Sequence, residues 1–207
     1  MIIYLVRHAD SVAPKGLNDR EKTLAGLSYF GQLQARALGE GLKNLNIKFI
    51  YSSPIIRAVE TTEIVSDQIG VNLELDNRLR EFFLDFETRD GLRQKSLKEE
   101  SRLNPNKLMP SGESLNSSID RLEEAIRDLA KNKNGNVCIV THRVVTEGLL
   151  SRLFNIRKGE SDWMESASVT ALEVSGDREF NILFYNKRFK NSRLIWETLR
   201  RKLGFYR

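Results

Sequence analysis

The sequence predicts an α/β fold, a three-layer α/β/α sandwich with a mostly parallel sheet and an antiparallel C-terminal strand. Three observations carry this. Short β-rich runs alternate with helical periodicity along most of the 207 residues. Val137–Val140 is apolar at every position, as a strand covered on both faces must be. Near the end, Val169–Val174 and Phe180–Phe184 flank Ser175-Gly176-Asp177, a hairpin signal that turns the chain back on itself.

Taken in order, Ile2–Val6 reads as the first strand. Leu27, Phe30, Leu38, Leu42 and Leu45 mark one side of a helix, with Ala35 filling in. Lys48–Tyr51 reads as the second strand, and the helix after it carries Ala58, Thr62, Val65 and Ile69. Gly70 suits the C-terminal stop of that helix. Val71–Leu75 alternates apolar and polar residues as a third strand does. Residues 76–112 mix charges, aromatics and prolines, which predicts an irregular excursion with some helix. Ser114 caps an amphipathic helix with Leu115, Ile119, Leu122, Ile126 and Leu129 on one face. Val137–Val140 is the fourth strand, followed by a helix bearing Val144, Val145, Leu149, Leu150 and Leu153. The last stretch, Arg193–Leu203, has the pattern of a basic helix. We read residues 1–207 as one domain, with the excursion at 76–112 and a basic C-terminal segment at 186–207.

Composition narrows the class. With 40% apolar and 29% charged residues the chain has the balance of a soluble protein, and no apolar run approaches the ~20 residues needed to span a bilayer. Met1–Val6 lacks a basic lead and meets Arg7-His8 at once, so it reads as a strand and not as a signal peptide. Cys138, alone of its kind, forms no intramolecular disulfide and reads as a small buried hydrophobe; a cytoplasmic setting is expected. The formal charge of +5 is uneven: Asn186–Arg207 carries +7, which leaves −2 for the rest. A solvated helix on the domain explains that tail, and no nucleic-acid module accompanies it, so neither a membrane nor a nucleic acid is expected as partner.

The unusual residues fall at strand ends. Arg7 and His8 follow the first strand, Ser52, Ser53 and Arg57 the second, Glu81 the third, and His142 the fourth. In an open parallel sheet those ends form one edge, where ligands bind. Two arginines, two histidines and a carboxylate brought there make an anion site with a nucleophile and an acid. Phosphate suits the inventory: arginine's planar fork matches its oxygens and stays charged. A neutral imidazole attacks phosphorus with one ring nitrogen while a backbone carbonyl holds the proton on the other. Two histidines without close ligand spacing make no zinc site, and neither metal nor cofactor is expected.

These residues also carry a resemblance. Leu5-Val6-Arg7-His8-Ala9-Asp10-Ser11 resembles the nucleophile signature of the histidine phosphatase, or phosphoglycerate-mutase-like, superfamily. Further matches follow in that family's order: Leu27-Ser28-x-x-Gly31-x-x-Gln34-Ala35, then Tyr51-Ser52-Ser53-Pro54-x-x-Arg57-Ala58-x-x-Thr61. Leu79-Arg80-Glu81 is similar to the acid segment, and Pro110-Ser111-Gly112-Glu113-Ser114 to a turn that precedes a helix. Val140-Thr141-His142 matches the second histidine, and Ala167-Ser168-Val169-Thr170 a late strand. The resemblance covers residues 1 to 175 and implies a metal-independent phosphatase acting on small phosphorylated metabolites. His8 would become phosphohistidine, Arg7, Arg57 and His142 would bind the transferring group, and Glu81 would protonate the leaving oxygen. Ser11 either bonds the phosphate or caps a turn, and Glu113 belongs either to a helical first turn or to the pocket rim.

Departures leave the substrate open. Ala9 and Arg143 stand where the family often has glycine, and Pro14 stands where its mutases carry asparagine. Asp85 and Thr88 interrupt the acid segment, so Asp85 or Glu87 is an alternative donor. A mutase-type transfer, a protein-phosphohistidine phosphatase and a silent phosphate-binding module are the rival readings, and a homodimer is compatible with all of them.

Overall fold

The computed structural model describes residues 1–12, 17–155, 164–175 and 179–191. In chain order its elements are β1 (Ile2–Arg7), α1 (Asp19–Thr23), α2 (Tyr29–Leu42), β2 (Ile47–Ser52) and α3 (Ile56–Ile69). Then come β3 (Leu73–Leu75), a 3-10 turn (Asn77–Leu79), α4 (Gly91–Leu103) and α5 (Leu115–Asn132). β4 (Asn136–Thr141), α6 (Arg143–Phe154), β5 (Ser168–Ser175) and β6 (Glu179–Arg188) complete the described chain.

Side-chain alternation explains the layers. Along β1, Ile3 and Leu5 point to one face and Tyr4 and Val6 to the other. β4 repeats this with Val137 and Ile139 against Cys138 and Val140. Strands apolar on both sides need helices on both sides. α5 and α6 cover the first face with Ile119, Leu122, Ile126, Val145, Leu149 and Leu150. α2 and α3 cover the second with Ala35, Leu38, Leu42, Ala58 and Val65. Fully buried leucines such as Leu42 and Leu122 each contribute roughly 1.5–3 kcal/mol relative to exposure. Cys138 lies within the second cluster, where burial raises its thiol to about 12, so it is inert packing.

The six strands run in the order β3-β2-β4-β1-β5-β6. The ladders joining β3, β2, β4 and β1 are parallel, whereas β5 is antiparallel to both β1 and β6. The antiparallel element is therefore β5, and β6 regains the direction of β1. β4 is inserted between β1 and β2, so the ends of those three strands adjoin, as expected.

Boundaries differ in places. α2 stops at Leu42, and Asn46 takes a left-handed φ of 50°, which leaves Leu45 outside the helix. Gly70 caps α3 at φ 70°, and pairing of β3 begins only at Leu73. α1 was not expected; it starts on a capping box in which Asn18 and Glu21 bond each other's backbone N–H. Between β3 and α5 the ordered parts are the 3-10 turn and α4. Pro14, the Gly176-Asp177 turn and the proposed basic helix at Arg193–Leu203 lie outside the described residues. Among those described, no helix is long and apolar enough to cross a membrane.

Candidate active site

Ladder hydrogen bonds continue beyond the strand ends and bring the site together. His8 N–H donates to the Thr141 carbonyl (3.0 Å), and Ser53 N–H to that of Val140 (2.9 Å). His8, Ser53 and His142 therefore follow three adjacent strands. The rings of His8 and His142 lie 5.2 Å apart, and both side chains are buried.

The partners dictate the tautomers. His8 Nδ1 is 2.7 Å from the Ala9 carbonyl, which only accepts, so Nδ1 carries the proton. Nε2 then holds a lone pair and accepts from Arg57 Nε at 3.0 Å. Arg57 Nη2 donates to His142 Nδ1 (3.3 Å), which leaves His142 Nε2–H to donate to Ser53 Oγ at 2.7 Å. Both rings are neutral. Burial first, and the Arg57 charge second, pull His8 down to about 3. Burial and then His8 and Arg57 hold His142 well below its ordinary value.

The arginines are fixed by backbone carbonyls. Arg57, in the first turn of α3, directs Nη1 to the Lys22 carbonyl at 2.8 Å. Arg7 directs Nη1 to the Met164 carbonyl, while its buried Nε has no hydrogen-bond partner among the described residues. Burial lowers the pKa of both guanidinium groups, which stay charged.

Glu81 enters from the other side. Its Oε1 accepts from Phe82 N–H (3.0 Å) and Val145 N–H (3.3 Å), and its Oε2 from Val144 N–H (3.3 Å). The carboxylate thus caps α6, whose N-cap residue His142 makes no side-chain cap bond of its own. Burial raises its pKa against the opposing pull of those N–H groups and of Arg57. The other two acids are placed differently. Asp85 Oδ1 accepts from the N–H groups of Glu87 (2.8 Å) and Thr88 (3.2 Å), and these bonds, with Arg93 nearby, hold its carboxyl below the usual range. Glu87 is exposed and pairs with Arg20.

The loop after His8 is latched by α2. Ser28 N–H donates to the Asp10 carbonyl (3.0 Å) and Ser28 Oγ to Asp10 Oδ2 (2.6 Å). Asp10 N–H donates to Gln34 Oε1 at 2.8 Å. A Cβ on Gly31 would stand 1.9 Å from the Asp10 carbonyl oxygen, so only glycine permits this approach. Thr61 Oγ1 accepts from Ala9 N–H (3.0 Å) and donates to the Arg57 carbonyl (2.6 Å). The Leu-Ser-x-x-Gly-x-x-Gln segment and Thr61 are thus supports for His8 and Arg57.

The histidine phosphatase superfamily (branch 1) matches residues 3–188. The chain belongs to the histidine phosphatase superfamily. A Hydrogenobacter thermophilus protein named phosphoserine phosphatase 2 is 29% identical over 196 residues, covering 89% of this chain and 95% of that protein. A Salmonella choleraesuis protein named phosphoglycerate mutase GpmB is 28% identical over 200 residues, covering 84% and 92%. Bacillus stearothermophilus YhfR superposes with a TM-score of 0.75 at 27% identity, covering 89% of this chain and 96% of its own.

As a histidine phosphatase the chain brings Arg7, His8, Arg57, Glu81 and His142 to one edge of the sheet. Ser11 is different: its backbone bridges to Leu27, and among the described residues no hydrogen bond joins its Oγ to those five. Several contributors were not singled out from the sequence. The carbonyls of Lys22 and Met164 hold the arginines, Arg121 clamps the backbone of residues 78–81, and Ala167 N–H donates to the Arg7 and His8 carbonyls. Asn18-x-x-Glu21, a capping box, was the one sequence signal that would have announced α1 and with it Lys22.

Proposed function

We propose that this histidine phosphatase hydrolyses phosphomonoesters of small metabolites through a phosphohistidine at His8 Nε2. The observation that carries this is the tautomer of His8, with its proton parked on the Ala9 carbonyl and its lone pair directed to Arg57. A buried imidazole held neutral down to about 3 is always in nucleophilic form at working pH.

Substrate phosphate enters among Arg7, Arg57 and His142. Arg57 Nε exchanges His8 for a phosphoryl oxygen, and Arg7 Nε, without a partner among the described residues, gains an acceptor. The Nε2–P bond then forms as the P–O bond to the leaving group breaks. The Glu81 carboxyl, kept protonated more readily than usual by burial, gives its proton to the departing oxygen. Water next attacks phosphorus and yields a proton to the Glu81 carboxylate. The N–P bond breaks, and inorganic phosphate leaves. The fixed donors stabilise charge on the three equatorial oxygens throughout.

The test is hydrolysis of an aryl phosphate without added metal, its inhibition by vanadate, and rapid-quench mass spectrometry locating phosphate on His8. Native activity lost in His8→Ala supports the reading. An inert native protein that still binds phosphate would leave only a binding module. The GpmB relative makes mutase-type transfer the second reading, favoured if 2- and 3-phosphoglycerate interconvert faster than either is hydrolysed.

A further inference from the structure

We infer that Arg121 and Glu113 are positioning residues for the Glu81 carboxyl, and that through it they set which leaving groups the site expels. This rests on the proposed role of Glu81 as proton donor. Glu81 lies in an irregular stretch between the 3-10 turn and α4, where no regular element holds its backbone. Arg121, on α5, supplies that hold. Its Nη1 donates to the carbonyls of Arg78 (2.8 Å) and Arg80 (2.5 Å), and its Nη2 to the carbonyl of Glu81 itself (3.1 Å). The remaining edge of the fork pairs with Glu113, Nε to Oε1 at 2.7 Å and Nη2 to Oε2 at 3.1 Å. Both side chains are largely covered, at 12% and 14% exposure, so this is no solvated surface pair.

The division of labour follows from these contacts. The Glu81 carboxyl accepts two of its three hydrogen bonds at 3.3 Å, near the limit of a useful bond. Such bonds do not by themselves fix where the proton is delivered. Three converging carbonyls on one rigid guanidinium do fix the main chain from which the carboxyl hangs. Thr141 Oγ1, donating to the Leu79 carbonyl at 2.7 Å, ties the same stretch to the end of β4, one residue before His142. Glu113 neutralises the guanidinium and fixes its rotation. Lysine cannot replace it, because a single ammonium cannot span three carbonyls and a carboxylate in one plane.

Leaving-group dependence separates positioning from mere structural support. An alkoxide is a strong base and departs with a proton, whereas a nitrophenolate departs readily as the anion. The experiment measures kcat and KM on p-nitrophenyl phosphate and on an alkyl phosphate. It compares the native enzyme, Glu81→Gln, Arg121→Lys, Glu113→Gln and the Arg121→Lys/Glu81→Gln double variant. Glu81→Gln should lower alkyl phosphate kcat by about 10²-fold. Arg121→Lys and Glu113→Gln should lower it by roughly tenfold to a hundredfold. In kcat/KM, which extends only to phosphohistidine formation and so leaves out the shared water step, all should affect the aryl substrate far less. In the Glu81→Gln background, Arg121→Lys should add nothing further.

Equal losses in kcat/KM on the two substrates, no loss on either, or additive losses in the double variant would overturn the inference. Glu113→Gln, nearly isosteric, keeps the test open if Arg121→Lys fails to fold. If Glu81→Gln itself shows no preference between leaving groups, the inference falls while the His8 reading stands. If the native enzyme hydrolyses neither substrate, the underlying reading falls as well.

Discussion

Arg57 Nε donates a hydrogen bond to His8 Nε2 at 3.0 Å, so the lone pair that we propose attacks phosphorus is engaged by the residue that we propose binds the phosphate. The contact has two consequences. It keeps the imidazole in the attacking tautomer, because Nε2 cannot be protonated while it accepts. It also orders the events, since the phosphate must draw Arg57 away before Nε2 is available. The Lys22 carbonyl, at the end of α1, holds the same guanidinium from the other side.

Arg57→Lys should therefore lower kcat by about 10²–10³-fold, the loss typical of removing one donor to a developing oxyanion. Charge is retained, but one ammonium cannot serve His8, His142 and a phosphate together. Steady-state kinetics with vanadate titration would check this. Unchanged kcat would mean that the fork plays no part in the transition state.

Gly31→Ala should damage His8 from a distance. The new Cβ would require the Asp10 carbonyl, 1.9 Å away, to move, and that carbonyl belongs to the loop carrying His8 and Ala9. Overpacking of this kind costs about 1–3 kcal/mol. A lower unfolding midpoint together with weaker phosphate binding is expected. A destabilised variant with native phosphate affinity would show that the α2 latch does not set the site.

The buried histidines make stability depend on pH. Between 6.5, its ordinary value, and about 3, the unfolded chain binds a proton at His8 that the folded chain refuses, so stability falls as pH falls through that window. His142 acts in the same direction. Glu81 acts oppositely above 4.5, because its raised folded pKa lets the native state take up a proton first. From about pH 7 to about pH 5 the native protein should lose roughly 2 kcal/mol more than His8→Gln does. Urea unfolding at the two pH values measures the difference. Equal losses would mean that His8 is not held neutral by the fold.

The strand-end histidines were legible because β1 and β4 are unbroken apolar runs, and a parallel sheet carries whatever follows such runs to one edge. Arg57 was legible for the same reason. The groups that hold the arginines were not, since the carbonyls of Lys22 and Met164 carry no residue-specific signal. Arg121 looks like any charge on the polar side of α5, because its role arises only when the chain of residues 78–81 folds over it. Glu113 had two readings open, and its pairing with Arg121 supplies a third. Ser11, read from its place in the nucleophile signature, is placed among the described residues by its backbone bridge to Leu27, because sequence adjacency to His8 does not fix the direction of a loop side chain.

Among the acids of the excursion, composition alone does not separate Glu81 from Asp85 and Glu87; Asp85 is buried as well, and what differs is the set of groups each carboxyl meets. The Asp85 carboxylate is spent on a turn and held ionised by the Glu87 and Thr88 N–H groups, which is the wrong state for donating a proton. Glu81 is raised by burial and so is protonated over a wider range. Alkyl phosphate turnover should then fall as pH rises through the Glu81 titration above 4.5, and Glu81→Gln should lose that limb along with most of the activity. Asp85→Asn should keep the limb and lower the unfolding temperature instead. A pH profile of kcat for the three proteins decides the point, because loss of the limb in Asp85→Asn, with its retention in Glu81→Gln, would move the proton to Asp85.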